Sequence, residues 1–510
     1  MVIDWKKLQN GSDIRGVAIE SGDEKINLSP EIASMIASSF VKWLSERKII
    51  SPDKLKIAVG MDSRITGPVL KKGIISGIVK SGGSAFDCGL ASTPAMFMST
   101  VIKEFSCHGA VMITASHLPF NRNGFKFFTS EGGLEKDDIK KILAEASSEQ
   151  PFFDDNISSP AINLMDKYSE IFVNKIRTDI NSKVSYAKPL EGMKIAVDAG
   201  NGAGGFFAEK VLVPLGADIS GSRFLDPDGR FPNHEPNPEN NEAMKSIRDA
   251  VLISGSDLGI IFDTDVDRAA VVDGSGTIIN RNTLIALAAS IVLEEHPGST
   301  VVTDSVTSDG LTVFIEKNLG GKHHRFRRGY KNVINESIRL NSEGVESHLA
   351  IETSGHGALK ENYFLDDGAY LIAKIIITAA KLRLQNGKSI MALVSELVQP
   401  VEEEEFRVKL LEDDFVSQGE SILKLLKEYA EMNKGWSVAP NSFEGVRVSC
   451  SADNQKGWFL LRLSLHDPVL PLNIESEVAG GVKAIAENIG EFLKSIDGID
   501  YSRMLEYTAD

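Results

Sequence analysis

Short apolar runs that stop at polar, charge-bearing loops recur along this chain, and stretches of helical periodicity separate them. The runs end near Gly60, Ser116, Asp198, Asp263, Ser305 and Glu352. Between them, windows such as Pro30 to Glu46, Val69 to Ser81 and Asn282 to Glu295 repeat apolar residues at helix spacing. This alternation predicts an α/β fold, with functional loops where the strands end. At 510 residues the chain exceeds what one hydrophobic core serves, so several domains are expected.

The run Gly109 to Ile113 leads into Thr114-Ala115-Ser116-His117-Leu118-Pro119 and then Asn123-Gly124-Phe125-Lys126. A hydroxyl at the end of a buried strand, beside cationic partners and a glycine-containing turn, suits a serine that carries phosphate. A surface turn has the same composition, and Ser-His adjacency decides nothing, because neighbours on an extended chain point opposite ways. Further on, Leu258 to Phe262 runs into Asp263-Thr264-Asp265-Val266-Asp267-Arg268. Three carboxylates at alternate positions after a strand can converge on one hard divalent cation, and Arg268 adds a fork for a phosphate oxygen. A calcium loop needs a glycine and a distal glutamate at offsets where this sequence lacks them. A solvated acidic turn is the other alternative.

The segment Glu352-Thr353-Ser354-Gly355-His356 follows the apolar Leu349-Ala350-Ile351. A carboxylate and a hydroxyl two residues apart can bracket vicinal sugar hydroxyls, and a nearby imidazole moves protons near neutral pH. A polar loop with an incidental histidine has the same appearance. Arg462-Leu463-Ser464-Leu465-His466-Asp467-Pro468 follows the strand-like Gly457 to Leu461. Its arginine, serine and turn amides form either a phosphate cradle or an ordinary alternating strand end. The glycines from Gly200 to Gly205 lack the spacing of a dinucleotide or P-loop motif.

Taken in order, the four motifs resemble the signature loops of the α-D-phosphohexomutase family, which includes phosphomannomutases, phosphoglucomutases and phosphoglucosamine mutases. Thr114, Ser116, His117, Pro119, Asn123, Gly124 and Lys126 match its phosphoserine motif, with Leu118 where asparagine is usual. Asp263, Asp265, Asp267 and Arg268 match every fixed position of its metal loop. Glu352, Ser354, Gly355 and His356 match its sugar loop, with Ile351 replacing the first glycine. Arg462, Ser464 and Pro468 match its phosphate loop, where Leu465, His466 and Asp467 depart; this His-Asp-Pro form is similar to that of plant organelle members. Ser12 to Gly16, Val59 to Arg64, Asp198 to Gly204, Pro227 to Pro232 and Pro236-Asn237-Pro238 resemble smaller family features, so the resemblance spans nearly the whole chain.

The resemblance implies three α/β domains with mixed sheets plus a smaller α+β C-terminal domain around a central cleft. With the polar stretch Ser147 to Pro160 and the acidic Pro400 to Glu405, it sets domains at 1–165, 166–280, 281–396 and 397–510. It further implies an isomerase that interconverts hexose 1-phosphate and hexose 6-phosphate through a phosphoserine and a bisphosphorylated sugar. Ser116, Lys126, His356 and Arg268 would be catalytic. Arg15, His117, Glu352, Ser354, Arg462, Ser464 and His466 would contact substrate. Asp263, Asp265 and Asp267, with an oxygen on Ser116, would hold one Mg²⁺, and hexose 1,6-bisphosphate would be the activator. The Ser-Gly-His form resembles the mannose/glucose and glucosamine branches more than the glucose-specialised one, and Thr114 leans towards mannose or glucose over glucosamine. The alternatives are a phosphoglucosamine mutase and a sugar-phosphate-binding regulator of reduced activity, the latter motivated by Leu118, Ile351 and His466-Asp467.

The formal net charge of −16 argues against general binding to nucleic acid or anionic membranes. An anionic sugar phosphate then requires a locally basic site, for which Arg15, Lys126, Arg268 and Arg462 are candidates. His323-His324-Arg325, Arg327 and Arg328 read chiefly as a charged surface face. The three cysteines suit buried thiols in a reducing compartment rather than a disulfide framework. No apolar window reaches membrane-spanning length and Met1 to Asn10 lacks a secretory core, so a soluble protein of cytoplasm or plastid stroma is expected. Nothing in the sequence sets the oligomeric state.

Overall fold

The computed structural model describes residues 3–387, 389–440, 442–464 and 467–509. By its internal packing the chain divides into two compact units, Met1–Asn280 with Ser354–Ala392, and Arg281–Thr353 with Leu393–Asp510.

The first unit contains a mixed sheet in which Ser84–Leu90, Lys56–Met61 and Gly109–Ile113 run parallel, while Arg122–Thr129 and Asp13–Val17 continue it antiparallel. Gly109–Ile113 is buried at every position, as a central strand covered on both faces requires. Helices Pro30–Lys48, Gly67–Lys80 and Thr93–Val101 alternate with these strands. Each start has a chemical cause: Ser29 caps the first through Ile32 N, Ser92 caps the third through Ala95 N, and all three carry proline in the first turn. A second sheet orders Ile278–Ile279, Ala269–Asp273, Leu258–Phe262 and Ile195–Asp198, with Leu258–Phe262 and Ala269–Asp273 paired antiparallel around the aspartate loop. The segment after Ser354 contributes the antiparallel pair Gly357–Leu359 and Leu365–Asp366, which is not part of that sheet, and the helix Gly368–Asn386, capped by Asp367.

The second unit holds the parallel trio Lys322–Arg325, Thr300–Thr303 and Ser347–Ile351, flanked by helices Arg281–Glu295 and Tyr330–Ser342. Its C-terminal part is an antiparallel sheet in the order Trp436–Val438, Val446–Cys450, Gly457–Leu461, Val469–Ser476, Glu402–Leu410, Ile499–Asp500. Phe415–Met432 and Gly481–Leu493 pack on it around a core that includes Phe406, Phe459 and Ile485. These are the three α/β sheets and the α+β ending expected from the sequence. The predicted helices appear within two residues of their expected ends, at Pro30–Lys48, Gly67–Lys80 and Arg281–Glu295. All three cysteines are buried and free. No helix among the described residues is long and apolar enough to cross a membrane.

Glycine is required where the sheet delivers the serine loop. A Cβ on Gly124 would lie 2.0 Å from Ile14 O and 3.0 Å from Thr114 O, so the strands at 13–17 and 122–129 meet here only because the side chain is missing. We predict that Gly124→Ala lowers stability by about 1–3 kcal/mol through forced separation of the strands. Thermal unfolding measures this, and an unchanged Tm would show that the backbone relaxes freely.

Candidate active site

Ser116 sits three residues past the strand Gly109–Ile113, in the left-handed region at φ 50°, an uncommon conformation for a residue other than glycine. Arg64 holds it there. This arginine is 1% exposed and donates from Nη2 to Ser116 O and Leu118 O, both at 2.5 Å, and from Nη1 to Pro119 O at 2.8 Å and Arg122 O at 3.0 Å. Thr114 Oγ1 accepts from Ser116 N–H, and Arg15 donates to Thr114 O from behind the loop. The Ser116 hydroxyl is thereby aimed at Asp263, donating to Oδ2 at 3.2 Å.

Asp263, Asp265 and Asp267 are each fully buried, and one oxygen from each lies within 4.8 Å of the others. Their loop bends at Val266, where φ is 69°, a strained value for a β-branched residue. It rests on the glycine-rich segment: Ala203 N–H donates to Thr264 O at 2.8 Å, and a Cβ on Gly202 would lie 2.7 Å from the same oxygen. Those glycines admit the aspartate loop, which explains their run without any nucleotide. The start of helix Thr93–Val101 fixes the other side, where Thr93 donates to Asp265 from both its amide (2.8 Å) and its hydroxyl (2.5 Å). Burial and repulsion from Asp267 and Asp265 push the Asp263 carboxyl well above its ordinary range. Among the described residues, Asp265 Oδ1 and Asp267 Oδ1 are buried without a hydrogen-bond partner. Crowded carboxylates with orphaned oxygens fit a hard cation.

The cations complete the set. Lys126 Nζ lies 2.7 Å from Asp267 and 4.0 Å from Asp265 and Asp13. Arg268, 2% exposed, donates from Nε to Asp263 at 3.1 Å and from Nη2 to Ser116 Oγ at 3.2 Å and His117 Nδ1 at 2.7 Å. Burial, then the Arg268 charge, lowers His117 to about 3, so its ring is neutral and Nδ1 is an acceptor. His356 behaves oppositely. Burial would lower it, but Asp366, bonded to Nδ1, and Asp267 outweigh that and raise it to about 9. At neutral pH it is an imidazolium.

The remaining candidates divide. Ser354 Oγ is buried without a hydrogen-bond partner among the described residues, in the first unit's returning segment. In the second unit, Glu352 accepts from Gly329 N–H at 2.6 Å, next to Arg328. Arg462 is 11% exposed at its side chain, with Nη1 3.7 Å from Glu444, whose other oxygen accepts from Ser305 Oγ and Arg328 N–H. Its Nε is buried without a partner among the described residues. Ser464 N–H donates to Val469 O, and Ser464 Oγ accepts from Asp467 N–H. His466 lies outside the described residues. Within the histidine-arginine cluster Arg327 is exposed, while His323 bridges Thr303 and Thr312, and half-buried Arg325 binds Thr307, Ser308 O and Asp309.

Residues 6–152, 170–276 and 280–401 match, in order, the family models for phosphoglucomutase/phosphomannomutase alpha/beta/alpha domains I, II and III. A phosphomannomutase/phosphoglucomutase of Pseudomonas aeruginosa is 30% identical over 442 residues, covering 86% of this chain and 88% of its own. The chain belongs to this family. A phosphoglucomutase/phosphomannomutase of Thermococcus kodakarensis is 30% identical over 92% of this chain and 95% of its own. The crystal structure of a phosphoglucomutase/phosphomannomutase family protein from Burkholderia thailandensis shares the fold, with a TM-score of 0.76 at 24% identity over 97% of this chain and 98% of that one. The protein is an isomerase of the phosphohexomutase type.

Sequence reasoning missed several partners in this phosphohexomutase. Thr93 and Glu444 are single polar residues with no local signal. Asp366 left none either, because Asp-Asp pairs recur along the chain, Asp154-Asp155 after Phe153 among them; Asp367 accepts from buried Tyr168, and Asp366 from His356. The His356 environment predicts a pH effect. A folded value of about 9 lies above the unfolded one of about 6.5, so the stabilisation is present below about pH 6.5 and is lost as pH rises through about 9. With metal chelated, His356→Gln should cost on the order of 1–3 kcal/mol near pH 6 and progressively less towards pH 10. A difference that does not shrink across that range would contradict the assignment.

Proposed function

We propose that this phosphohexomutase interconverts hexose 1-phosphate and hexose 6-phosphate, with glucose or mannose as the sugar, through a phosphoserine at position 116. One observation carries the reading: the Ser116 hydroxyl is held between a buried carboxylate triad and a buried arginine, at 3.2 Å from each. A phosphoryl group there meets cationic donors on one side and, on the other, carboxylates suited to a divalent cation. Asp263, Asp265 and Asp267, with an oxygen on Ser116, would hold Mg²⁺. When bound, that ion supplies neutralisation of the phosphoryl charge.

The chain's own residues supply the rest. As the bond from Ser116 Oγ to phosphorus breaks, a bond from the free hydroxyl of the hexose monophosphate to phosphorus forms, giving a hexose 1,6-bisphosphate; this is also the natural activator, since it phosphorylates Ser116 in reverse. One proton leaves the sugar hydroxyl and one reaches Ser116 Oγ, with Lys126 and His356 as the transfer groups. His356 enters as the donor, because Asp366 keeps it protonated. Glu352 and Ser354 are assigned to sugar hydroxyls, Arg15 and His117 to the serine end, and Arg462, Ser464 and His466 to the distal phosphate. The orphaned Nε of Arg462 supports that last role.

Two measurements test this reading. Ser116→Ala should lose one phosphoryl group from the intact mass and at least about a thousandfold in turnover of glucose 1-phosphate and mannose 1-phosphate; normal turnover by that variant would sink the mechanism. Mg²⁺ should raise the Tm of the parent protein by several degrees through binding linkage, and Asp265→Ala should remove most of that rise. An equal rise in both proteins would take Asp265 out of the metal site.

A further inference from the structure

The geometry points to Asn237 as the residue that positions Arg268. Arg268 Nη1 donates to Asn237 Oδ1 at 3.0 Å, while Nε is held on Asp263 and Nη2 faces Ser116 and His117. A guanidinium fixed at Nε can still tilt its far end; a second acceptor at Nη1 fixes the plane and therefore the direction of Nη2. Asn237 is the neutral group that does this.

The loop bearing Asn237 is built to stay still. Pro236 and Pro238, both buried, flank it and fix their own φ. Asn237 N–H donates to Glu235 O at 2.9 Å, its Nδ2 to Glu235 Oε1 at 3.0 Å, and Glu239 N–H returns to Oδ1 at 3.0 Å. On one side the loop is anchored by His234, whose Nε2 lies 3.1 Å from both oxygens of buried Asp198 and whose Nδ1 lies 2.9 Å from Glu235 O. On the other side, Asn240 caps the helix Asn241–Ser254. Gly200, at φ 53°, lets Pro236 close in, since a Cβ there would lie 2.7 Å from the proline's own Cβ. The amide also has a charge argument. Asp263 already offsets Arg268 at Nε, and Glu239 approaches Nη1 only to 3.8 Å. A carboxylate in place of Asn237 would cancel the positive charge that faces Ser116, whereas an amide oxygen orients the guanidinium and leaves that charge available.

The inference rests on the mutase reading only for its kinetic arm. In crystals of the full chain, Asn237→Ala should release the Arg268 guanidinium from hydrogen-bond reach of Ser116 Oγ and His117 Nδ1. Phosphoryl transfer from the phosphorylated protein to glucose 6-phosphate in a single turnover should then fall about tenfold. Asn237→Asp should keep Arg268 in place and instead raise the KM for glucose 1-phosphate several-fold, with kcat reduced less. A residue that merely supports the loop would not divide the two variants in that way. An Arg268 that keeps both contacts in the alanine variant overturns the inference, as does transfer within about twofold of the parent. If the alanine variant fails to fold, the aspartate variant decides, and an unchanged KM overturns the inference. A parent chain that converts no hexose phosphate would instead overturn the mutase reading, and the crystallographic comparison would still decide the role of Asn237.

Discussion

Burying three carboxylates within one small volume sets the terms for everything around them. Two unit charges about 4 Å apart interact by roughly 4 kcal/mol at an effective dielectric constant of about 20, so three like charges cannot be left uncompensated. The first unit answers with three cations from three separate segments: Lys126 from a sheet strand, Arg268 from the end of the aspartate loop, and His356 from the segment that returns after Ser354. Each lies against a particular carboxylate, so the charge requirement also dictates which strands and loops must meet. The antiparallel bridge between Arg268 and His356 is the backbone consequence.

That meeting uses conformations the chain would otherwise avoid. Ser116 and Val266 both have positive φ, and each stands at the turn where its loop reverses. Strained residues persist only where neighbours over-determine them. For Ser116 the over-determination is visible in Arg64, whose two terminal nitrogens gather four carbonyl oxygens of the loop. For the aspartate loop it is the close approach at Gly202 on one side and the two bonds from Thr93 on the other. The strain is therefore stored by the sheets and helices, and the Ser116 hydroxyl inherits a fixed direction.

This division explains what the sequence could reveal. Apolar runs and helical windows follow from burial on a sheet, so the strand at 109–113 and the helix from Pro30 were legible in the sequence. The aspartate loop was legible because its three carboxylates recur at alternate positions directly after an apolar strand. Residues that act across the fold were not: Thr93 lies 172 positions from Asp265, and Asn237 31 from Arg268, and neither separation leaves a pattern in a single chain. The inward ties of the histidine-arginine cluster were hidden for the related reason that charge along a strand says nothing about which partners it meets. Arg325 looks like surface in sequence, yet it is tied to the 307–309 segment.

The two histidines of the first unit show how little of their chemistry belongs to the residue itself. His117 is turned neutral by burial and by Arg268, whose Nη2 needs the lone pair on Nδ1. His356, the less exposed of the two, is turned cationic by Asp366. Arg268 repels a proton from both rings, so the difference lies in the carboxylate that only His356 possesses. On the proposed reaction this separates their roles without further machinery. His117 can accept a hydrogen bond but holds no charge to compete with Arg268 for a phosphoryl oxygen, whereas His356 carries a proton it can surrender. A carboxylate at position 366 thus decides which imidazole is the acid, and the arginine shared by both ensures that the other is not.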